Sequence, residues 1–276
     1  MPFQYKTVLV TGATSGIGKA LVERLLSAVD GVFIIAVGRR QDRLDELQTK
    51  YGPSKIATEN FDVTDLAALP AWAAKITAAY PALDCVVLNA GFQQSFDFTQ
   101  PGSVVGELPL LDTELTVNYL SPVHATALFM PHFAGLAAQS KPSALVYLTS
   151  GLALVPIARC PNYCASKAAL HSFTWTMRAQ LQENEATRDY VRIIEIVPPA
   201  VQTELHIRQG QAPTGLPLAQ FIDETWEGLS ADEPVDEIMP KNLKAMMGQV
   251  DDVKREKFKN MAAFLKAQQA AAAASQ

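Results

Sequence analysis

Residues 8–18 read VLVTGATSGIG: a short apolar run, three glycines spaced G-x-x-x-G-x-G, and the first residues of an amphipathic segment. A chain that passes from strand to helix in so few residues must turn sharply, and glycine permits the backbone angles the turn needs. It also lets main-chain amides approach a phosphate at a helix N-terminus, where the dipole favours negative charge. The spacing is not the G-x-G-x-x-G of the commoner dinucleotide fingerprint. Its place, after the first strand and ahead of a helix, is what marks it as a phosphate-binding turn.

Outward from this turn, KTVLVTG, VFIIAVG, CVVLNAG, ALVYLTS and VRIIEIVPP are nearly continuous apolar segments. Strands buried on both faces of a parallel sheet read this way. KIATENF is a weaker strand and VDEIM a short last one. Helix-length segments at 16–29, 42–50, 65–80, 112–133 and 163–185 alternate with them. The rhythm predicts right-handed crossovers and an α/β fold: a doubly wound parallel sheet (Rossmann-type) with helices on both faces. No repeat or linker divides the chain, so residues 1–250 are expected to form a single domain. The rhythm breaks after Val197, and residues 203–230, rich in Pro, Gly and Gln, are expected to form a substrate loop or lid. Residues 251–276 read as a C-terminal helical tail with an alanine-rich, frayed end.

The 276 residues, 49% hydrophobic and 18% charged, suffice for one large α/β core. A net charge of −5 speaks against a nucleic-acid partner. The N-terminus runs straight into a strand without the layout of a signal peptide. The longest stretch free of Asp, Glu, Lys and Arg, residues 115–140, carries Asn118, Ser121, two histidines and two prolines, and reads as buried helix rather than membrane span. Cys85, Cys160 and Cys164 form neither a disulfide framework nor a zinc spacing, and read as reduced thiols of a cytoplasmic protein. Histidines 124, 132, 171 and 206 have no metal-ligand spacing, so no metal is expected. Trp72, Trp175 and Trp226 read as packing residues.

In dinucleotide folds an acid about 20 residues beyond the glycine turn holds the ribose of NAD. Here the second strand ends AVGRR, with Arg39 and Arg40 and no carboxylate. A guanidinium can hold a 2′-phosphate in a charge-assisted, bidentate contact. The pattern predicts NADP(H).

With TGATSGIG, FDVTD, NAG, VNYL, TSG and YCASK in that order, residues 5–203 resemble the short-chain dehydrogenase/reductase family in its compact single-domain branch. The resemblance implies an NADP(H)-dependent oxidoreductase that interconverts a carbonyl and a secondary alcohol by hydride transfer. It makes Asn118, Ser150, Tyr163 and Lys167 catalytic. Hydride transfer to a carbonyl builds negative charge on oxygen, so the site needs a proton donor and hydrogen bonds placed there. Tyr163 would be the acid/base, and Lys167, four residues on, would lower its pKa and bond the nicotinamide ribose. Ser150, 13 residues before Tyr163, would polarise the substrate oxygen, and Asn118 would hold a water that relays protons to Lys167. Cofactor contacts are implied at Gly12, Thr14, Ser15, Gly16, Ile17 and Gly18, at Arg39 and Arg40, and at Asp62 and Val63. They continue at Asn89, Ala90, Gly91, Tyr163, Lys167, Pro198, Val201 and Thr203.

The family's Pro-Gly after the sixth strand reads Pro198-Pro199 here, which constrains the backbone beside the nicotinamide. The double proline, with FIDETWEGL further on, resembles a DltE-like subgroup. The substrate would be a small molecule chosen by residues 92–110 and 203–230, with Phe92, Phe96 and Phe98 available for an apolar pocket. The segments 112–133 and 163–185 pair across a two-fold axis in many such proteins, which makes a homodimer possible. The rival reading is a dinucleotide-binding sensor or interaction protein with vestigial catalysis.

Overall fold

A computed structural model describes residues 3–100, 102, 104–207, 212 and 214–274. Among them seven parallel strands form one sheet: β1 (Thr7–Thr11), β2 (Phe33–Gly38), β3 (Ile56–Asn60), β4 (Cys85–Leu88), β5 (Ser143–Leu148), β6 (Val191–Ile196) and β7 (Glu237–Ile238). Their order is β3-β2-β1-β4-β5-β6-β7. The chain winds outward from β1 to β3, then returns to β4 on the other side of β1. That reversal opens a crevice at the carboxyl ends of β1 and β4, the usual ligand site of such sheets. Register is set by pairs such as Val8 with Cys85 and Tyr147 with Glu195.

Successive strand residues point to opposite faces, and β1 shows the consequence. Val8 and Val10 pack with Leu21, Val22 and Leu25 of α1 (Gly16–Ala28) and Leu44 and Leu47 of α2 (Gln41–Tyr51). Leu9 faces the other core, with Trp72 and Ile76 of α3 (Leu69–Ala79).

The segment expected as one helix over 112–133 is three elements. It starts early as α4 (Leu108–Leu115), loosens into a π-helical turn at Thr116–Leu120, and resumes as α5 (Ser121–Ala137). Phe129 and Phe133 of α5 join the second core. The helix expected from 65 begins at Leu69, because Asp65 Oδ1 instead accepts the Ala68 amide in the preceding turn. The sixth helix, α6 (Pro161–Glu183), runs close to its expected bounds, and the lid region contains α7 (Glu204–Ile207) and α8 (Leu218–Leu229). Residues 208–211 and 213 of that region lie outside the described residues.

The chain divides into two compact units, Met1–Pro240 and Lys241–Gln276. The second is α9 (Lys241–Ala274), which begins at Lys241 rather than at the expected 251 and continues through Ala274. Among the described residues no helix is long and apolar enough to cross a membrane.

Candidate active site

The glycine turn is held by its own neighbours. Thr11 Oγ1 accepts the amides of Asn89 (3.0 Å) and Ala90 (3.1 Å), and Asn89 Nδ2 donates to Thr11 O across 2.8 Å. Asn89 therefore locks the ends of β1 and β4 together. Gly12 sits at φ +68°, a backbone region that side chains disfavour. Gly18 is required for a different reason: a Cβ there would lie 2.3 Å from Asn89 Nδ2 and 2.4 Å from Gly12 O. Helix α1 can abut the turn only without a side chain. Ile17 packs half-buried against the first core, and Gly16 faces the Thr203 methyl.

At the outer end of the turn lies a cationic cluster. Arg40 donates to Thr14 Oγ1 from Nε (3.1 Å) and Nη2 (2.9 Å), and to Ser15 Oγ (2.5 Å). Its Nη1 meets Glu204 Oε2 at 3.1 Å, while Arg43 Nη1 meets Glu204 Oε1 at 2.6 Å. The Arg43 hydrogen bond holds the Glu204 carboxyl below its ordinary range. Arg39 points elsewhere, to Asp62 Oδ2 at 3.0 Å, and is largely exposed. Burial works against ionisation of Asp62, but hydrogen bonds from Thr64 and Arg39 outweigh it and keep the carboxyl low. Val63 beside it is half-buried.

The four residues expected to be catalytic converge from three elements. Ser150 follows β5, Tyr163 and Lys167 stand one turn apart on α6, and Asn118 sits in the π-turn. All four are buried. The Ser150 hydroxyl accepts the Leu152 amide at 3.1 Å and lies close enough to the Tyr163 phenol to pull its pKa down. Lys167 Nζ donates to Leu148 O at 2.7 Å and lies 5.8 Å from the centre of the Tyr163 ring. Asn118 accepts the Phe92 amide at 3.0 Å and donates to Phe92 O (2.8 Å) and Ser166 Oγ (3.1 Å). The extra backbone residue of the π-turn swings this side chain between the loop after β4 and the start of α6, a common use of such bulges. Gly91 lies beside both Asn118 Oδ1 and Lys167 Nζ.

The electrostatics differ in one respect from the sequence expectation. Tyr163 was expected to have its pKa brought down by Lys167; instead burial dominates and pushes the phenol up, against the pull of the Ser150 hydroxyl. Burial also pushes Lys167 down to about 8, opposed by the carboxylates of Glu195 and Glu114. Sequence reasoning missed both acids. Glu195 is fully buried in β6 and accepts Thr149 Oγ1 (2.6 Å) and Thr174 Oγ1 (2.7 Å), with His171 Nδ1 at 2.7 Å. Glu114 of α4 accepts the Gln94 amide (2.8 Å) and Asn162 Nδ2 (2.7 Å), pinning the loop after β4 to the first turn of α6. A carboxylate inside the apolar run VRIIEIVPP was a visible signal; Glu114 gave none.

The floor is closed by the segment after β6. Pro198 O accepts the Gly151 amide at 2.8 Å, and Val201 is buried and bridges to Leu216. Thr203 Oγ1 accepts the Leu205 amide.

These residues fit a nicotinamide dinucleotide on two observations. A carboxylate already lies between Arg40 and Arg43, so the end of the glycine turn is built for an anion. Lys167 spends one hydrogen bond on Leu148, and an ammonium has three donors to offer. Parallel sheet, glycine turn and buried Ser-Tyr-Lys cluster together define a dinucleotide-dependent oxidoreductase. The chain belongs to the short-chain dehydrogenase family, whose model matches residues 6–213. It is 38% identical over 236 residues to the uncharacterized oxidoreductase DltE of Bacillus subtilis, covering 83% of this chain and 86% of that one. Among solved structures it resembles a short-chain dehydrogenase from Sphingobium yanoikuyae in complex with NADPH (TM-score 0.74, 23% identity, 92% of this chain and 95% of the other). It also resembles one from Burkholderia phymatum in complex with NAD (TM-score 0.75, 20% identity, 93% and 96%).

Proposed function

We propose that this chain is an NADP(H)-dependent oxidoreductase that interconverts a carbonyl and a secondary alcohol, with Tyr163 as general acid and base. The observation that carries the reading is the buried Tyr163 phenol, kept protonated by burial, with Ser150 beside it and the Lys167 ammonium one helical turn on, 5.8 Å from its ring. When bound, the dinucleotide supplies the hydride in reduction and receives it in oxidation. Ser150 and Tyr163 hold the substrate oxygen. As negative charge builds there, Tyr163 delivers its proton and Ser150 stabilises what remains. Lys167, with a pKa near 8, has a proton to return to the phenolate at neutral pH. Asn118 fixes Phe92 and α6 so that these groups keep their spacing.

The preference for NADP(H) is supported by Arg40 and by the end of β2, where Gly38, Arg39 and Arg40 follow one another with no carboxylate among them. Buried Phe96 and exposed Phe98 favour a substrate with an apolar portion. Three free, buried thiols suit a reducing cytoplasm. Half-buried Val123 of α5, with Met130 and Phe173 at the edge of the second core, leaves apolar surface that suits a homodimer, which light scattering would report at twice the 29.9 kDa chain mass.

The test is NADPH oxidation against a panel of ketones and aldehydes, run beside Tyr163→Phe. The variant should lose about a hundredfold or more in turnover while binding NADPH within a few fold. Near-normal turnover by the variant on a good substrate would overturn the assignment.

A further inference from the structure

Glu204 lies 164 residues beyond Arg40 in sequence, yet its carboxylate spans both Arg40 and Arg43. Arg40 and Arg43 are three apart at the start of α2 and so share a face. The remaining donors of Arg40 go to Thr14 and Ser15 of the glycine turn. The anion-binding place at the end of the turn is thus occupied by an anion from the chain itself. Planar guanidinium pairs of this kind bind carboxylate and phosphate oxygens by the same donors. A carboxylate and a 2′-phosphate cannot both hold them.

We propose that Glu204 is a built-in counter-anion of the 2′-phosphate site, displaced when a 2′-phosphorylated nucleotide binds, and that Arg43 joins Arg40 as a ligand of that phosphate. The inference rests on the NADP(H) reading above and adds a competitor and a second cation to it. Its consequence is a coupling. Glu204 opens α7, one residue after Thr203, at the start of the segment expected to cover the substrate. The group that must leave for the phosphate to bind is therefore carried by that covering segment. Part of the phosphate's binding free energy is spent on releasing α7, so Glu204 tempers discrimination between the two nicotinamide cofactors. The ordinary ionisation of Glu204 is secured by the same arginines, which keeps the competitor charged across the physiological range.

The test uses equilibrium binding of two adenosine nucleotides to the full-length protein by calorimetry: adenosine 2′,5′-bisphosphate and adenosine 5′-monophosphate. Glu204→Gln keeps the side-chain shape and removes the charge, and it should bind the bisphosphate about two- to tenfold more tightly with the monophosphate unchanged. Arg40→Ala and Arg43→Ala should each weaken the bisphosphate about ten- to a hundredfold, again selectively. If the two arginine variants behave so but Glu204→Gln binds the bisphosphate equally or more weakly, Glu204 organises the arginines rather than competing for them. The inference is then wrong while the NADP(H) reading stands. If Arg40→Ala and Arg43→Ala weaken both nucleotides equally, the NADP(H) reading fails and this inference with it. Amide exchange gives a check without variants: the bisphosphate, and not the monophosphate, should speed exchange over residues 203–207, and protection there would overturn displacement.

Discussion

Lys167 Nζ donates to the main-chain carbonyl of Leu148 across 2.7 Å, so a buried ammonium is anchored to the end of β5 by a neutral acceptor. A charge kept inside a protein in this way costs stability, and here burial pushes the pKa from 10.5 to about 8. The sign follows from proton linkage. Below pH 8 both folded and unfolded chains carry the proton and the folded state bears the full penalty. Between about 8 and 10.5 the folded state has released it while the unfolded state has not, so the penalty fades as pH rises. Lys167→Met should therefore be more stable than the parent at pH 6.5, by about 1–3 kcal/mol once the lost Leu148 bond is allowed for. The gain should shrink toward pH 10, and turnover should be lost at every pH. Urea unfolding at the two pH values checks the first part, and a gain independent of pH would contradict it.

Gly18 makes a sharper structural prediction. Its absent Cβ would meet Gly12 O, a backbone atom of the turn, at 2.4 Å. Gly18→Ala must push α1 away from the turn, costing about 1–3 kcal/mol and most of the dinucleotide affinity. Gly135 in α5 has open space where its Cβ would go, so Gly135→Ala should be neutral or stabilising by up to about 1 kcal/mol. Thermal melts of both, with nucleotide titrations, distinguish a packing requirement from a general intolerance of substitution.

What the sequence made legible, it did through patterns local to one element. The five strong strands announced themselves because both their faces are covered, as Val8 and Leu9 of β1 show by facing different cores. The π-turn at Asn118 left no such mark, since Val117 and its neighbours carry the same apolar content that an unbroken helix would. Helix α8 was absorbed into the lid although Phe221, Ile222 and Thr225 form a buried stripe, because Pro217 and the glycines before it set the reading of the region. The positions proposed to be catalytic could be named because Ser150, Tyr163 and Lys167 fall at spacings along the chain that the family resemblance reads. Their surroundings could not. Glu204 reaches Arg40 and Arg43, and Glu114 reaches Asn162, only through the tertiary fold.

Glu114 ties Gln94 to Asn162, the residue before Tyr163, by two hydrogen bonds shorter than 3 Å. Glu114→Ala leaves that amide and that carboxamide without their buried acceptor. The loop after β4 should loosen, and because it is a proposed wall of the substrate pocket, KM should rise by about tenfold or more with a smaller change in NADPH affinity. Steady-state kinetics beside nucleotide titration would show the split. Equal losses in both would mean that Glu114 supports the whole fold rather than the pocket.

Glu195 offers the test that joins fold to chemistry. Its buried carboxylate is held by hydroxyls of Thr149 and Thr174, with His171 Nδ1 and, at 3.5 Å, Arg178 beside it. Thr149 adjoins Ser150, while His171 lies one turn beyond Lys167 on α6. The carboxylate opposes the depression of the Lys167 pKa, as does Glu114. Glu195→Gln keeps the shape, and the threonine hydroxyls can reverse their donor and acceptor roles to suit the amide. It removes the charge, so the Lys167 pKa should fall below about 8. The proposed mechanism needs the ammonium, so activity should be present below that pKa and be lost as pH rises through it. The alkaline limb of the kcat/KM profile should therefore move to lower pH in Glu195→Gln. A carboxylate that served only packing would lower stability or rate and leave the limb where it was. Glu114→Gln, which removes a second negative charge acting on the same ammonium, should shift the limb in the same direction. If neither variant moves it, the limb belongs to a group other than Lys167, and the lysine's assigned part in returning the proton to Tyr163 is wrong.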